Sequence, residues 1–288
     1  MSPALALHGG AGASRKLDYA RILLHLTGLV EAARDRLVRG DAALDVAVAI
    51  VAEMELSGLY VAGRGGSPNL AGEYELDASV MDGRTGAAGA VGALQDFQNP
   101  IEVARRVMER TDHVFLVGKG AADFARTQGL PTIPDEGWFT HAAVGEANFA
   151  PRPSAPGTVG CAVLDKDGHL AAATSSAGVF DKLPGRIGDS PVIGAGNWAD
   201  EMVAISCTGS GEAFLRTAAA AQIAWRRSIG EPLDAAASGL LERIRKLGGE
   251  GGVAAVDRDG TIALPFNAEG MKRGWLTSNG EIGAAVFD

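Results

Sequence analysis

Thr158 stands where a proline-rich stretch meets a short apolar strand, in Gly157-Thr158-Val159-Gly160. A threonine hydroxyl is a weak nucleophile until a base takes its proton. Were the chain cut before Thr158, the new α-amine would lie on the same residue as the hydroxyl. An α-amine titrates at roughly 7.7–8.0, so it can accept that proton near neutral pH. An ordinary strand threonine has the same sequence surroundings, and the residues alone leave both readings open. Other nucleophiles are less favoured. There is no Gly-x-Ser-x-Gly elbow. Cys161 and Cys207 alternate within apolar strands, the usual setting of inert buried thiols.

The second chemical signal is glycine. The chain holds 40, clustered at HGGAG (8–12), GRGG (63–66), GTVG (157–160), GDSPVIGAG (188–196) and TGSG (208–211). Such knots suit a site walled by backbone, although simple loops would share the composition. TGSG lies between a strand and a helix, where N–H groups would favour an oxyanion or carboxylate. It lacks a Walker lysine, and a plain strand–helix turn would read the same way. The histidines (His8, His25, His113, His141, His169) are scattered without metal-ligand spacing, so no transition-metal centre is expected.

Bulk properties narrow the classes. With 288 residues, 47% of them hydrophobic, the chain can bury a sizeable core. A net charge of −9 argues against a nucleic-acid partner. No apolar run approaches the ~20 residues of a membrane helix. The start, MSPALALHGGAG, has no basic region of a secretory signal. Two cysteines are too few for a disulfide scaffold or a four-ligand zinc site, so a reduced, cytoplasmic setting is expected.

The elements that would position these residues come in blocks. The pattern predicts a strand over 3–7 and helices over 17–39 and 41–56, the latter capped by Asp41. Strands follow over 73–81 and 87–94, then a helix near 100–109, strand 113–118 and helix 119–128. Residues 129–157, rich in proline, read as a linker. Two hairpins are predicted, over 158–177 and 253–264, turning at Asp165–Gly168 and Asp257–Gly260. A strand over 202–207 runs into one long helix over 212–228, and another helix covers about 233–247. Hairpins without βαβ alternation imply antiparallel sheets with helices outside.

The motifs GTVGCAVLDKDGHLAAATSSAG, LPGRIGDSPVIGAG and SCTGSGE, in that order, with HGGAG before them and FNAEGMKRG after them, resemble the plant-type L-asparaginase / isoaspartyl peptidase family of Ntn-hydrolases. The resemblance spans essentially the whole chain. It implies one α+β domain over 1–288, a four-layer αββα sandwich of two antiparallel sheets flanked by helices. It also implies self-cleavage into an α-subunit, 1–157, and a β-subunit, 158–288, assembled as a dimer of αβ units.

The resemblance also assigns roles. Thr158 matches the nucleophile, and Ser176 stands where the family commonly has a threonine bonded to it. Arg186 matches the clamp for the substrate α-carboxylate, a task that suits a guanidinium fork. Asp189 matches the anchor for the α-ammonium. Thr208 and Gly209 match the oxyanion hole, and Gly211 admits the ligand to the backbone. The implied substrate is a small molecule, a β-aspartyl dipeptide or L-asparagine, with no cofactor. Many members hold a structural sodium near residues 55–62, which leaves no sequence signature. One departure stands out: Val61-Ala62-Gly63 replaces the family's Asn-Ala-Gly, and valine cannot hydrogen-bond. That keeps two alternatives open, an amidase of altered specificity resembling glycosylasparaginase, and a poorly maturing, non-catalytic amino-acid binder.

Overall fold

The computed structural model describes residues 1–140 and 157–288. The linker expected over 129–157 therefore falls mostly outside the described residues. In chain order the elements are β1 (Ala4–Ala11), α1 (Ala20–Arg39), α2 (Ala43–Ser57), β2 (Leu76–Asp82), β3 (Ala88–Leu94), α3 (Pro100–Arg110), β4 (Phe115–Val117) and α4 (Gly118–Thr127). From residue 157 onward come β5 (Val159–Leu164), β6 (Leu170–Ser176), β7 (Asn197–Ala199), β8 (Val203–Gly209), α5 (Gly211–Thr217), α6 (Ala219–Ser228) and α7 (Leu233–Lys246). The chain closes with β9 (Gly251–Asp257), β10 (Ile262–Ala263), β11 (Met271–Leu276) and β12 (Ile282–Ala285). Among the described residues no helix is long and apolar enough to cross a membrane.

The strands make two sheets, ordered β12-β11-β1-β5-β6-β2-β3-β4 and β10-β9-β8-β7. Helices α1, α2 and α3 pack on the larger sheet, α6 and α7 on the smaller, and the two sheets contact one another through β1, β5, β6, β8 and β9. Strand alternation explains the arrangement. On β6, Ala171 and Ala173 enter the core under the helices, whereas Leu170 and Ala172 face the other sheet. On β8, Ile205 and Cys207 join the smaller sheet's helices, and Ala204 faces inward.

The layer between the sheets changes character along its strands. At one end it is apolar, built from Ala4, Ala6, Met81, Ala162, Leu164, Leu170, Ala172, Ala204 and Val256. Two residues further along each strand the same face carries His8, Ser79, Gly160, Thr174 and Ser206. Another step brings Asp77, Thr158, Ser176 and Thr208. The registers His8↔Gly160, Gly160↔Thr174, Thr174↔Ser79 and Ser176↔Asp77 fix these rows. Buried polar groups need partners, and this layer supplies several of its own. His8 Nε2 and Thr174 Oγ1 meet Ser206 Oγ at 2.8 and 2.7 Å. Asn197 Nδ2 donates to Ser79 O at 2.8 Å.

Four expectations need correction. Asp41 does not cap α2: the cap position is Ala42, Asp41 pairs with Arg36 at 2.7 Å, and the Ala43 N–H is met by Asp165 Oδ2 from the β5–β6 turn. The sheets are not wholly antiparallel, because α3 carries the chain across so that β4 lies parallel to β3. The long helix over 212–228 is broken at Ala218, which is left-handed at φ 46°. There the first N–H groups of α6, from Ala220 and Ala221, bond Ala195 O and Gly194 O, so tertiary partners hold the break. Finally, β1 runs on through the glycine knot to Ala11, bulging between His8 and Ala11.

Glu55, fully buried at the end of α2, accepts from Ile101 N–H and Asn99 Nδ2 and so ties α2 to the start of α3. Burial pushes its carboxyl up to about 8 despite those bonds. The folded state then keeps a proton that the unfolded chain releases near pH ~4.3. Between those values stability falls as pH rises. Glu55→Gln is expected to make the decline of melting temperature between pH 5 and pH 8 shallower. An unchanged slope in the variant would remove Glu55 as its source.

Candidate active site

The polar ends of the strands open into a small cleft lined by Thr158, Ser176, Arg186, Asp189, Gly209 and Gly211, together with Asp77 and Ser190. Six of the seven residues singled out in the sequence thus share one cleft. Thr208 is not in the lining; it is fully buried one residue back, and its Oγ1 accepts the Ala11 N–H at 3.3 Å.

Thr158 precedes β5 and lies almost wholly buried beside the end of β6. Its Oγ1 donates to Ser176 Oγ at 3.4 Å and lies 3.4 Å from Ser190 Oγ. Ser176 Oγ accepts the Gly178 N–H at 2.9 Å and donates to the Gly157 carbonyl at 2.7 Å. The hydroxyl, its acceptor and the carbonyl preceding Thr158 therefore form one chain. Ser190 was not singled out, although it directly follows Asp189. Ser79 Oγ, donating to Ser190 O at 2.6 Å, fastens that loop to β2.

Behind β5, burial drives the His8 imidazole down to about 3, so it stays neutral against Ser206. Gly160 makes room for this pair, since a Cβ there would come within 1.8 Å of Ser206 Oγ. Burial likewise raises the thiols of Cys161 and Cys207, which sit within strands and not in the cleft.

Arg186 lies in a cradle of glycines. A Cβ on Gly188 or Gly211 would stand 2.9 Å from its guanidinium nitrogens, and one on Gly178 3.3 Å. Its Nε and Nη2 donate to the two carboxylate oxygens of Glu212 at 2.9 and 3.0 Å, a bidentate pair. Asp189 Oδ2 is buried without a partner, and burial lifts its carboxyl to about 7 against the pull of Arg186. Gly209 has φ 145°, and a Cβ there would strike Glu250 O at 2.3 Å, so its backbone is bare by necessity.

Val61 packs with Leu76 and Ala177 in an apolar wall. It presses on the residue before Thr158: a Cβ on Gly157 would fall 2.0 Å from Val61 Cβ. In the neighbouring loop the carbonyls of Gly58, Tyr60, Val61, Ala62 and Gly63 already accept hydrogen bonds from within the protein. Each of these oxygens keeps a second lone pair, so backbone carbonyls are what this loop offers a sodium ion.

Residues 1–285 match the family described as Asparaginase. The chain is 43% identical to the isoaspartyl peptidase of Salmonella typhimurium, covering 94% of each chain. It is 41% identical to that of Escherichia coli, covering 94% of this chain and 92% of the relative. It is 39% identical to the plant-type L-asparaginase of Pyrobaculum calidifontis, covering 94% of this chain and 96% of the relative.

Proposed function

The chain belongs to the asparaginase family, and from that premise we propose that it is a threonine amidohydrolase for β-aspartyl amide bonds, matured by cutting itself between Gly157 and Thr158. Its substrates are isoaspartyl dipeptides or L-asparagine. The observation that carries the reading is the run from Thr158 O–H through Ser176 Oγ to the Gly157 carbonyl.

In the precursor, Thr158 Oγ1 attacks the Gly157 carbonyl carbon while Ser176 hydrogen-bonds the carbonyl oxygen. The C–N bond breaks, Thr158 nitrogen takes a proton, and Gly157 is held as an ester until water hydrolyses it. The freed α-amine then serves as the base for Thr158 Oγ1. In turnover the hydroxyl attacks the substrate's β-carbonyl, and the backbone at Gly209, held from behind by buried Thr208, faces the developing oxyanion. Ammonia or the amine of the dipeptide leaves with a proton, and water releases aspartate from the acyl-enzyme. Arg186 and Asp189 read the α-carboxylate and α-ammonium of the aspartyl group.

The four-layer αββα sandwich belongs to this reading, supported by helices on the outer face of each sheet. A dimer of αβ units and a cytoplasmic location complete it, the latter in keeping with two free cysteines. Intact mass and N-terminal sequencing test maturation, and ammonia and aspartate release from L-asparagine and a β-aspartyl dipeptide test activity. A β-chain beginning at Thr158 with turnover of either substrate is expected. Processed protein inert on both would overturn the substrate assignment.

Gly157→Ala tests the geometry of maturation. Its methyl would meet Val61 at 2.0 Å and displace the carbonyl to be attacked. The variant is expected to remain mostly uncut on SDS-PAGE, and adding Val61→Gly, which removes the Cβ met at 2.0 Å, should restore part of the cleavage. Normal processing of the single variant would show that the contact does not set the geometry.

A further inference from the structure

Asp77 begins the inward face of β2 and pairs directly with Ser176 across the β2–β6 ladder, so the two side chains share a face. It lines the same cleft as Thr158 and Asp189. Its Oδ1 accepts the Ala93 N–H at 2.8 Å, whereas Oδ2 is buried with no partner in the protein. Asp189 repeats the pattern, with its own Oδ2 buried and open. A cleft with two half-satisfied carboxylates is unusual, because a buried acceptor without a donor is costly.

The nearby cations do not close either oxygen. Lys182 Nζ donates to Glu75 O at 2.9 Å and lies 3.8 Å from the Glu75 carboxylate. Arg186 is engaged through Nε and Nη2 by Glu212. Burial dominates at both acids, lifting Asp77 to about 6 and Asp189 to about 7. A group bringing several N–H donors and a positive charge would meet both open oxygens and hold both carboxylates ionised. An ammonium has three such donors.

We propose that Asp77 is a specificity-determining residue that, together with Asp189, seats the α-ammonium of the substrate. This rests on the reading of the cleft as an aspartyl site and deepens it. The competing account makes Asp77 only the counter-charge of Lys182, which would affect all ligands alike.

The two accounts separate on a pair of ligands with the same carboxylates. L-aspartate carries the ammonium and succinate lacks it. By calorimetry on the purified protein, wild type should bind L-aspartate well above succinate. Asp77→Asn should cut that preference by about 10- to 100-fold, the scale of a hydrogen bond to a charged group, while succinate affinity stays within about threefold. Equal loss for both ligands, or an undiminished preference, overturns the proposal and leaves the aspartyl-site reading intact. A wild type that does not prefer L-aspartate sinks that reading and the proposal with it. A crystal structure of wild type with L-aspartate needs no variant. The ammonium nitrogen is expected within about 3.2 Å of both Asp77 Oδ2 and Asp189 Oδ2, and a nitrogen on Asp189 alone overturns the role of Asp77.

Discussion

A Thr158→Ala protein is expected to remain a single chain and to lose about 10⁴- to 10⁶-fold in turnover, the scale at which hydrolases suffer when their nucleophile is removed. The fold should survive. Thr158 is 4% exposed, and among the described residues its hydroxyl makes two hydrogen bonds, both long at 3.4 Å, so the substitution gives up little. The Ser176 donation to the Gly157 carbonyl, at 2.7 Å, stays in place and polarises a bond that nothing attacks. Thr158→Ser keeps the oxygen but drops the methyl that restricts χ1. Cleavage should persist in that variant, slowed a few-fold. SDS-PAGE over time, a melt and an ammonia assay report all three properties. A Thr158→Ala chain that still splits before residue 158 would assign the attack to another group.

The strand alternation made much of the site legible in advance. In HLAAATSS every second residue faces the other sheet, which is why Thr174 and Ser176 share a face with Thr158 and Gly160 once the Asp165–Gly168 hairpin sets the register. The glycine knots were legible as close approaches, but not their cause. Gly188 and Gly211 make room for one guanidinium, a reason visible only when α5 meets the loop before β7. Asp77 gave no signal, because the residues that share its cleft, Ser176 across the ladder and Asp189, lie about 100 residues along the chain. The Asp41 cap failed for a related reason: local spacing favoured it, and a distant carboxylate, Asp165, reached the helix start instead. The break at Ala218 was equally hidden, since alanine is a good helix former and only the carbonyls of Gly194 and Ala195 stop the helix.

Arg186→Ala should lower kcat/KM for L-asparagine by about 30- to 5000-fold, the range that follows from 2–5 kcal/mol for truncating one partner of a buried charge pair. Within the protein the guanidinium already holds a carboxylate. Glu212 fills its fork with both carboxylate oxygens, yet the Glu212 side chain is 67% exposed and that of Arg186 only 16%. A pair with one solvated partner is weak, so a substrate carboxylate that loses its water in the cleft can take over the fork. Glu212→Gln should therefore change kcat/KM by no more than a few-fold. Arg186→Lys keeps the charge but not the planar pair of donors. It should fall between wild type and the alanine variant, with the loss mainly in KM. The decisive comparison is asparagine whose α-carboxylate has been amidated. Wild type should process it as poorly as Arg186→Ala processes asparagine, and the variant should lose little more on the amidated compound. If Arg186→Ala instead reduces both substrates by the same factor, the guanidinium is holding the loop around Gly188 and Gly211 in place and is not reading a carboxylate.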